Sequence, residues 1–125
     1  MEDRELFLKA KEVMPRAYAP FSGFKVGAAL LSADGRIFTG VNVENSSYGG
    51  TICAERGACM KAISEGAQKF EMIAIATSED FAWPCGLCRQ FLYEFAPDLK
   101  VIAGPDEDHL RTLTLKELLP EGFRL

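Results

Sequence analysis

Met72-Ile73-Ala74-Ile75-Ala76 is a continuous apolar run, preceded by Glu71 and followed by Thr77-Ser78-Glu79-Asp80. A short run of this kind fits a strand covered on both faces rather than one with a face in water. Upstream, a helix is expected from Cys53 to Glu65, closed at its C-terminal end by Gly66. Downstream, Cys85 opens another helix, with Leu87, Phe91, Leu92 and Phe95 along its inner face and Pro97 beyond its end. Leu99 to Ala103 then reads as a further strand.

Farther out, Leu6, Phe7, Ala10, Val13, Met14 and Ala17 recur at helical spacing, with Asp3 as the N-cap. Tyr18-Ala19-Pro20-Phe21-Ser22-Gly23 breaks that helix. Phe24 to Leu31 and Arg36 to Val43 are strand-like and joined by Ala33-Asp34-Gly35, a hairpin signal. Asn42 to Thr51 is a polar, Gly-rich loop, Leu110 to Leu115 a last short strand, and Lys116 to Leu119 a turn of helix. The order α-β-β-α-β-α-β-β predicts an α/β fold with a mixed sheet between layers of helix.

The 125 residues fit one domain, 1–125, with a real core and no room for a second. A net charge of -4 and a pI near 5.0 argue against a nucleic-acid surface and point to a free small molecule. Met1-Glu2-Asp3-Arg4-Glu5 has the wrong charge for a signal peptide, and no apolar run reaches membrane-spanning length, so a soluble cytosolic protein is expected.

The chemistry sits in Cys53-Ala54-Glu55 and Pro84-Cys85-Gly86-Leu87-Cys88. Three thiolates can hold a zinc ion and leave one position open, as catalytic zinc sites do, whereas structural sites close all four. Cys85 and Cys88 also form a Cys-x-x-Cys pair of the redox type. That motif usually follows the first strand of its fold, and here it comes late, after Pro84, so metal binding is favoured. Both motifs fall between a strand and the helix each opens, which would bring two helix N-termini, each with partial positive charge, to one point. Zinc with three thiolates carries a formal charge of -1. Arg56 beside Glu55, and Arg89 beside Cys88, are the cations expected to offset it. Cys59 lies about 240° around the helix from Cys53, pointing into the core. His109, between acidic residues, reads as a solvated turn residue. No fourth ligand remains.

A Cys, a Glu two residues on, then Pro-Cys-x-x-Cys is the order found in zinc-dependent deaminases. Over nearly its whole length the chain resembles the small homotetrameric cytidine deaminases. The matching segments are Tyr18-Ala19-Pro20-Phe21-Ser22, Phe24-x-Val26-Gly27-Ala28-Ala29-Leu30, Gly40-Val41-Asn42-Val43-Glu44-Asn45, Cys53-Ala54-Glu55-Arg56, Pro84-Cys85-Gly86-Leu87-Cys88-Arg89-Gln90 and Glu117-Leu118-Leu119-Pro120-x-x-Phe123. The resemblance implies a three-layer α/β/α fold around a mixed five-stranded sheet. It further implies one zinc per subunit on Cys53, Cys85 and Cys88, and a cytoplasmic enzyme of pyrimidine salvage that converts cytidine and deoxycytidine to uridine and deoxyuridine. Glu55 would carry the protons. Asn42 and Glu44 would hydrogen-bond the ribose 3′-OH, Phe24 would pack on the base, and the Ala54 backbone would contact it. Phe123 would reach into a neighbouring subunit's site.

Two features depart from the family. Trp83 stands where Ser or Thr is frequent and is expected to reshape the pocket rim, and the Gly-rich Ser46-Ser47-Tyr48-Gly49-Gly50 loop is expected to alter subunit contacts. Arg36 to Val43 and the Leu-Leu-Pro ending also resemble blasticidin-type deaminases, which share fold and chemistry, while Glu44 favours an ordinary cytidine substrate.

Overall fold

The computed structural model describes residues 1–125. Helix α1 (Asp3–Val13) runs into a 3-10 turn at Met14–Arg16, where Pro15 ends the α-helical hydrogen bonding. Strands β1 (Val26–Ser32) and β2 (Ile37–Val41) form the expected antiparallel hairpin, and Gly35 at its turn has a positive φ of 92°. Then come α2 (Ala54–Ser64), β3 (Phe70–Thr77), α3 (Gly86–Tyr93), β4 (Lys100–Ala103), β5 (Arg111–Thr114) and the short α4 (Leu115–Leu118).

The strands form one five-stranded sheet in the order β2-β1-β3-β4-β5. Only β3 and β4 run parallel, because α3 crosses over between them; the other neighbours are antiparallel. Alternation along the central strand β3 separates two cores. Ile73 and Ile75 face α2 and α3, together with Ala28, Leu30, Val101 and Leu92. Met72, Ala74 and Ala76 face α1, against Leu6, Phe7 and Ala10. The mixed sheet with helices on both faces is the three-layer arrangement expected.

Gly40 fixes the position of α2. A Cβ there would collide with the Ala54 carbonyl and the Ala58 amide, so helix and strand meet backbone to backbone. Because Ala54 is the first residue of α2, this contact also sets where the helix entrance stands relative to the sheet.

Three local expectations are corrected. Asp3 is not the N-cap of α1: Glu2 takes that place without a side-chain bond. The Asp3 carboxylate instead accepts from Lys100 Nζ at 2.7 Å and Thr112 Oγ1 at 3.2 Å, tying α1 to β4 and β5. Leu87 does not join the inner face of α3; it is 69% exposed, and Cys88 and Leu92 are the buried residues of that helix. One position along a helix turns a side chain by about 100°, which moves Leu87 off the face that Cys88 shares with Leu92. Arg89, expected beside the sulfurs, instead binds the Pro84 and Leu118 carbonyls.

Candidate active site

Cys53 is the N-cap of α2 and Cys85 the N-cap of α3, both with extended backbone (φ -71°, ψ 154° and φ -67°, ψ 169°). Neither side chain caps its own helix. Both sulfurs turn instead toward each other, 3.8 Å apart, and Cys88 in the first turn of α3 completes the group. All three sulfurs lie within 4.8 Å of one another. The extended conformation of Cys53 also places Glu55 on the same side as the cysteine, although i and i+2 inside a regular helix would diverge.

This donor set fits zinc. Zn–S bonds of about 2.3 Å in a tetrahedron put sulfurs about 3.8 Å apart, the separation found for Cys53 and Cys85. No fourth protein ligand approaches: Cys59 is wholly buried in the core, and His109 is exposed with its Nδ1 2.8 Å from Asp106. Without a cation Cys53 and Cys88 share charge unequally. A hydrogen bond from the Cys88 thiol, aided by Arg56 and Cys85, draws Cys53 down to about 5 against the opposing effect of burial. The bond to the Cys53 thiolate, then burial, pushes Cys88 above its ordinary value. A metal cation removes that conflict by stabilising every thiolate at once.

Arg56 Nη2 lies 3.7 Å from Cys53 Sγ and 3.4 Å from the Thr51 carbonyl, while its buried Nε has no partner. It is the cation expected beside the thiolates. Arg89 is not a second one. Its Nε donates to the Pro84 carbonyl at 2.6 Å and its Nη1 to the Leu118 carbonyl at 2.7 Å, so it fastens the loop before Cys85 to the C-terminal segment. At the fourth position of α3 its long side chain reaches back past the cap rather than toward the sulfurs.

A cleft of roughly 260 Å³ opens beside the sulfurs, lined by Phe24, Val26, Asn42, Thr51, Cys53, Ala54, Glu55, Ile75, Thr77, Ala82, Trp83 and Cys85. Phe24, Asn42, Ala54 and Glu55 therefore line one cleft with Cys53 and Cys85. Glu55 is 5% exposed, and burial raises its carboxyl to about 7, with the negative charge of Cys53 adding to the effect and Arg56 opposing it. The Asn42 amide is held on both ends: Oδ1 accepts from the Val26 amide and Nδ2 donates to the Phe24 carbonyl, each at 2.8 Å.

Glu44 lies in an adjoining concavity with Phe21, Ser22, Tyr48 and Thr51; Thr51 lines both hollows. Its carboxylate accepts from the Phe21 amide at 2.9 Å, the Ser22 amide at 3.1 Å and the Ser22 hydroxyl, and the hydroxyl bond above all keeps its pKa below the ordinary value. Phe123 is 63% exposed and lines no cleft of its own chain; its carbonyl accepts from Gln90 Nε2 at 2.9 Å. Val26, Ile75, Thr77 and Ala82 had no sequence signal as lining residues, whereas Thr51 belongs to the polar loop before Cys53, a natural binding wall. Val26 and Thr77 lie at strand ends and Ile75 is a core residue of β3, where lining and ordinary sheet residues look the same.

An open three-sulfur site beside a buried carboxyl, built from two helix entrances over a mixed sheet, defines a zinc-type hydrolytic deaminase. Residues 1–104 match the model of the cytidine and deoxycytidylate deaminase zinc-binding region. The chain is 45% identical over 124 residues to a cytidine deaminase of Halalkalibacterium halodurans, covering 97% of this chain and 94% of that protein. Among solved structures, a Burkholderia pseudomallei cytidine deaminase aligns with a TM-score of 0.91 and 41% identity, covering 98% of this chain and 100% of that one. A Mycobacterium tuberculosis cytidine deaminase aligns with a TM-score of 0.85 and 36% identity, covering 100% and 99%. The chain belongs to the cytidine and deoxycytidylate deaminase family, whose defining region binds zinc.

Proposed function

We propose that this protein hydrolyses the 4-amino group of cytidine and deoxycytidine, giving uridine and deoxyuridine with release of ammonia. The observation that carries the reading is the placement of Glu55, a buried carboxyl poised near neutrality, in the same cleft as three convergent sulfurs with no fourth ligand. Cys53, Cys85 and Cys88 would hold the zinc, which when bound supplies Lewis acidity that makes water nucleophilic near neutral pH. Glu55 takes a proton from the attacking water and delivers it to N3 of the pyrimidine as C4 is attacked. It then carries a proton to the departing amine, so that water and cytidine balance against ammonia and uridine. A carboxyl with a raised pKa suits both halves of that transfer. Arg56 steadies the thiolate charge from the side of Cys53.

Phe24 covers one face of the base, and the Ala54 backbone at the start of α2 meets its edge. Asn42, immobilised by the Phe24 carbonyl and the Val26 amide, keeps a second Nδ2 hydrogen for the ribose 3′-OH, and Glu44 accepts from that hydroxyl across Thr51. No lysine or arginine lines either hollow, while Glu44 and Glu55 do. That electrostatic character favours an uncharged nucleoside over a phosphorylated one. The blasticidin-type alternative is not favoured, since the similar proteins are named cytidine deaminases.

Phe123, exposed at the C-terminal end with Leu-Leu-Pro before it, suits insertion into a neighbouring subunit of a homotetramer. Four unpaired cysteines suit a reducing, cytoplasmic setting, and recovery of pyrimidines is the corresponding role. No helix is long and apolar enough to cross a membrane. The test is a panel of cytidine, deoxycytidine, deoxycytidylate, free cytosine and blasticidin S, followed by loss of cytosine absorbance, with zinc measured on the same protein. Conversion of the two nucleosides is expected. Full zinc with no conversion of either would overturn the reading.

A further inference from the structure

We propose that Trp83 is a specificity-determining residue that excludes substituents at C5 of the pyrimidine, and that Phe81 and Arg111 act as positioning residues for its indole. The inference rests on the deaminase reading above, which fixes the orientation of the base. C4 must face the three sulfurs and N3 must face Glu55. C5 is bonded to C4 on the side opposite N3, so it turns away from the entrance of α2. The wall left for it is the segment before α3, which gives the cleft Ala82, Trp83 and Cys85. Of these, Trp83 alone has a bulky side chain.

The indole is held on several sides. It packs against the main core beneath it. The Phe81 ring meets it edge to face, with centroids 6.1 Å apart and planes at 85°. The Arg111 guanidinium lies over both rings, 5.7 Å from the centroid of Trp83 and 5.9 Å from that of Phe81. Its backbone is restrained as well. Trp83 precedes Pro84, which confines it to extended conformations. The Thr77 hydroxyl donates to the Asp80 carbonyl at 2.8 Å, the Ser78 amide to the Lys25 carbonyl at 2.9 Å, and Arg89 holds the Pro84 carbonyl. A wall fastened in this way cannot step aside for an added methyl. The cleft is also small, below the range of about 300–1,000 Å³ usual for small-molecule sites.

One methyl or methylene too many or too few in a tight apolar pocket changes kcat/KM by roughly 10–200-fold. The experiment measures kcat/KM for cytidine and for 5-methylcytidine in the zinc-loaded wild type, Trp83→Ala, Trp83→Phe and Arg111→Gln. Trp83→Ala should raise the ratio of 5-methylcytidine to cytidine about tenfold or more. Arg111→Gln changes an exposed residue and removes only the cation over the rings, so it should raise the ratio about 2–5-fold. If Trp83→Ala fails to retain zinc, Trp83→Phe and Arg111→Gln carry the test, each with a raised ratio expected. An unchanged ratio in variants that still deaminate cytidine overturns this inference alone. A zinc-loaded wild type inactive on both nucleosides overturns the deaminase reading and this inference with it.

Discussion

The sulfurs of Cys53 and Cys85 lie 3.8 Å apart although 32 residues separate them in the chain. Each is the cap of a different helix, and both helices pack on the same face of the sheet, so the pair marks where two helix entrances converge. The partial positive charge at those entrances favours thiolates and offsets the excess negative charge of an all-sulfur site. Four experiments probe how the surrounding residues use that convergence.

Glu55→Gln keeps the shape of the side chain and removes its capacity to carry a proton. Turnover of cytidine should fall by about 10²–10⁴-fold, with zinc content unchanged by metal analysis. In the wild type the carboxylate must be ionised to accept the proton of water. Burial above all places its pKa near 7, with the Cys53 charge adding to the effect and Arg56 opposing it. The acid limb of kcat/KM should therefore rise with pH through about 7 and level off above it.

Arg56→Gln removes the guanidinium that lies 3.7 Å from Cys53 Sγ. Zinc affinity should drop roughly 10–100-fold, measured by competition with a colorimetric chelator. Unchanged retention would mean that the helix entrances alone stabilise the thiolates.

Arg89→Ala cuts the two carbonyl bonds that join the loop before Cys85 to Leu118. Hydrogen bonds from a charged donor contribute about 1.5–3 kcal/mol each. The melting temperature should fall on the order of 10–20 °C, and the segment bearing Phe123 should become sensitive to limited proteolysis. Loss of activity without either change would point to a direct role at the sulfurs.

His109→Gln should leave zinc content and kcat/KM as they are. The Asp106 carboxylate raises the imidazole above its usual 6.5, a shift that an NMR titration of this single histidine reads directly. A raised pKa means that the ion pair is complete at acidic pH and fades as pH rises through the folded value. Both groups are exposed, so little stability should follow.

The elements of the fold, from α1 to α4, were legible because each follows from local pattern: 3.6-residue periodicity in α1, two strand-like runs joined by a turn signal in the hairpin, and an uninterrupted apolar run in β3. The three cysteines, Glu55 and Arg56 were legible for a similar reason, since residue types at short fixed spacings specify a helix entrance and its chemistry. Asp3, Leu87 and Arg89 were misplaced because local pattern could not name their neighbours. Asp3 found Lys100 across the sheet, and Arg89 found Leu118 beyond β5.

The sequence by itself determined the two cysteine motifs, Glu55 between them and the layered α/β class, each read from residues close in the chain. Tertiary structure decided which strands are neighbours, and so which distant side chains share the cleft. Thr51, Ile75 and Thr77 became walls, and Trp83 came under Arg111. The physical reason is that sheet order and backbone contacts such as Gly40 against α2 are settled by packing over the whole chain, which no short window of sequence records.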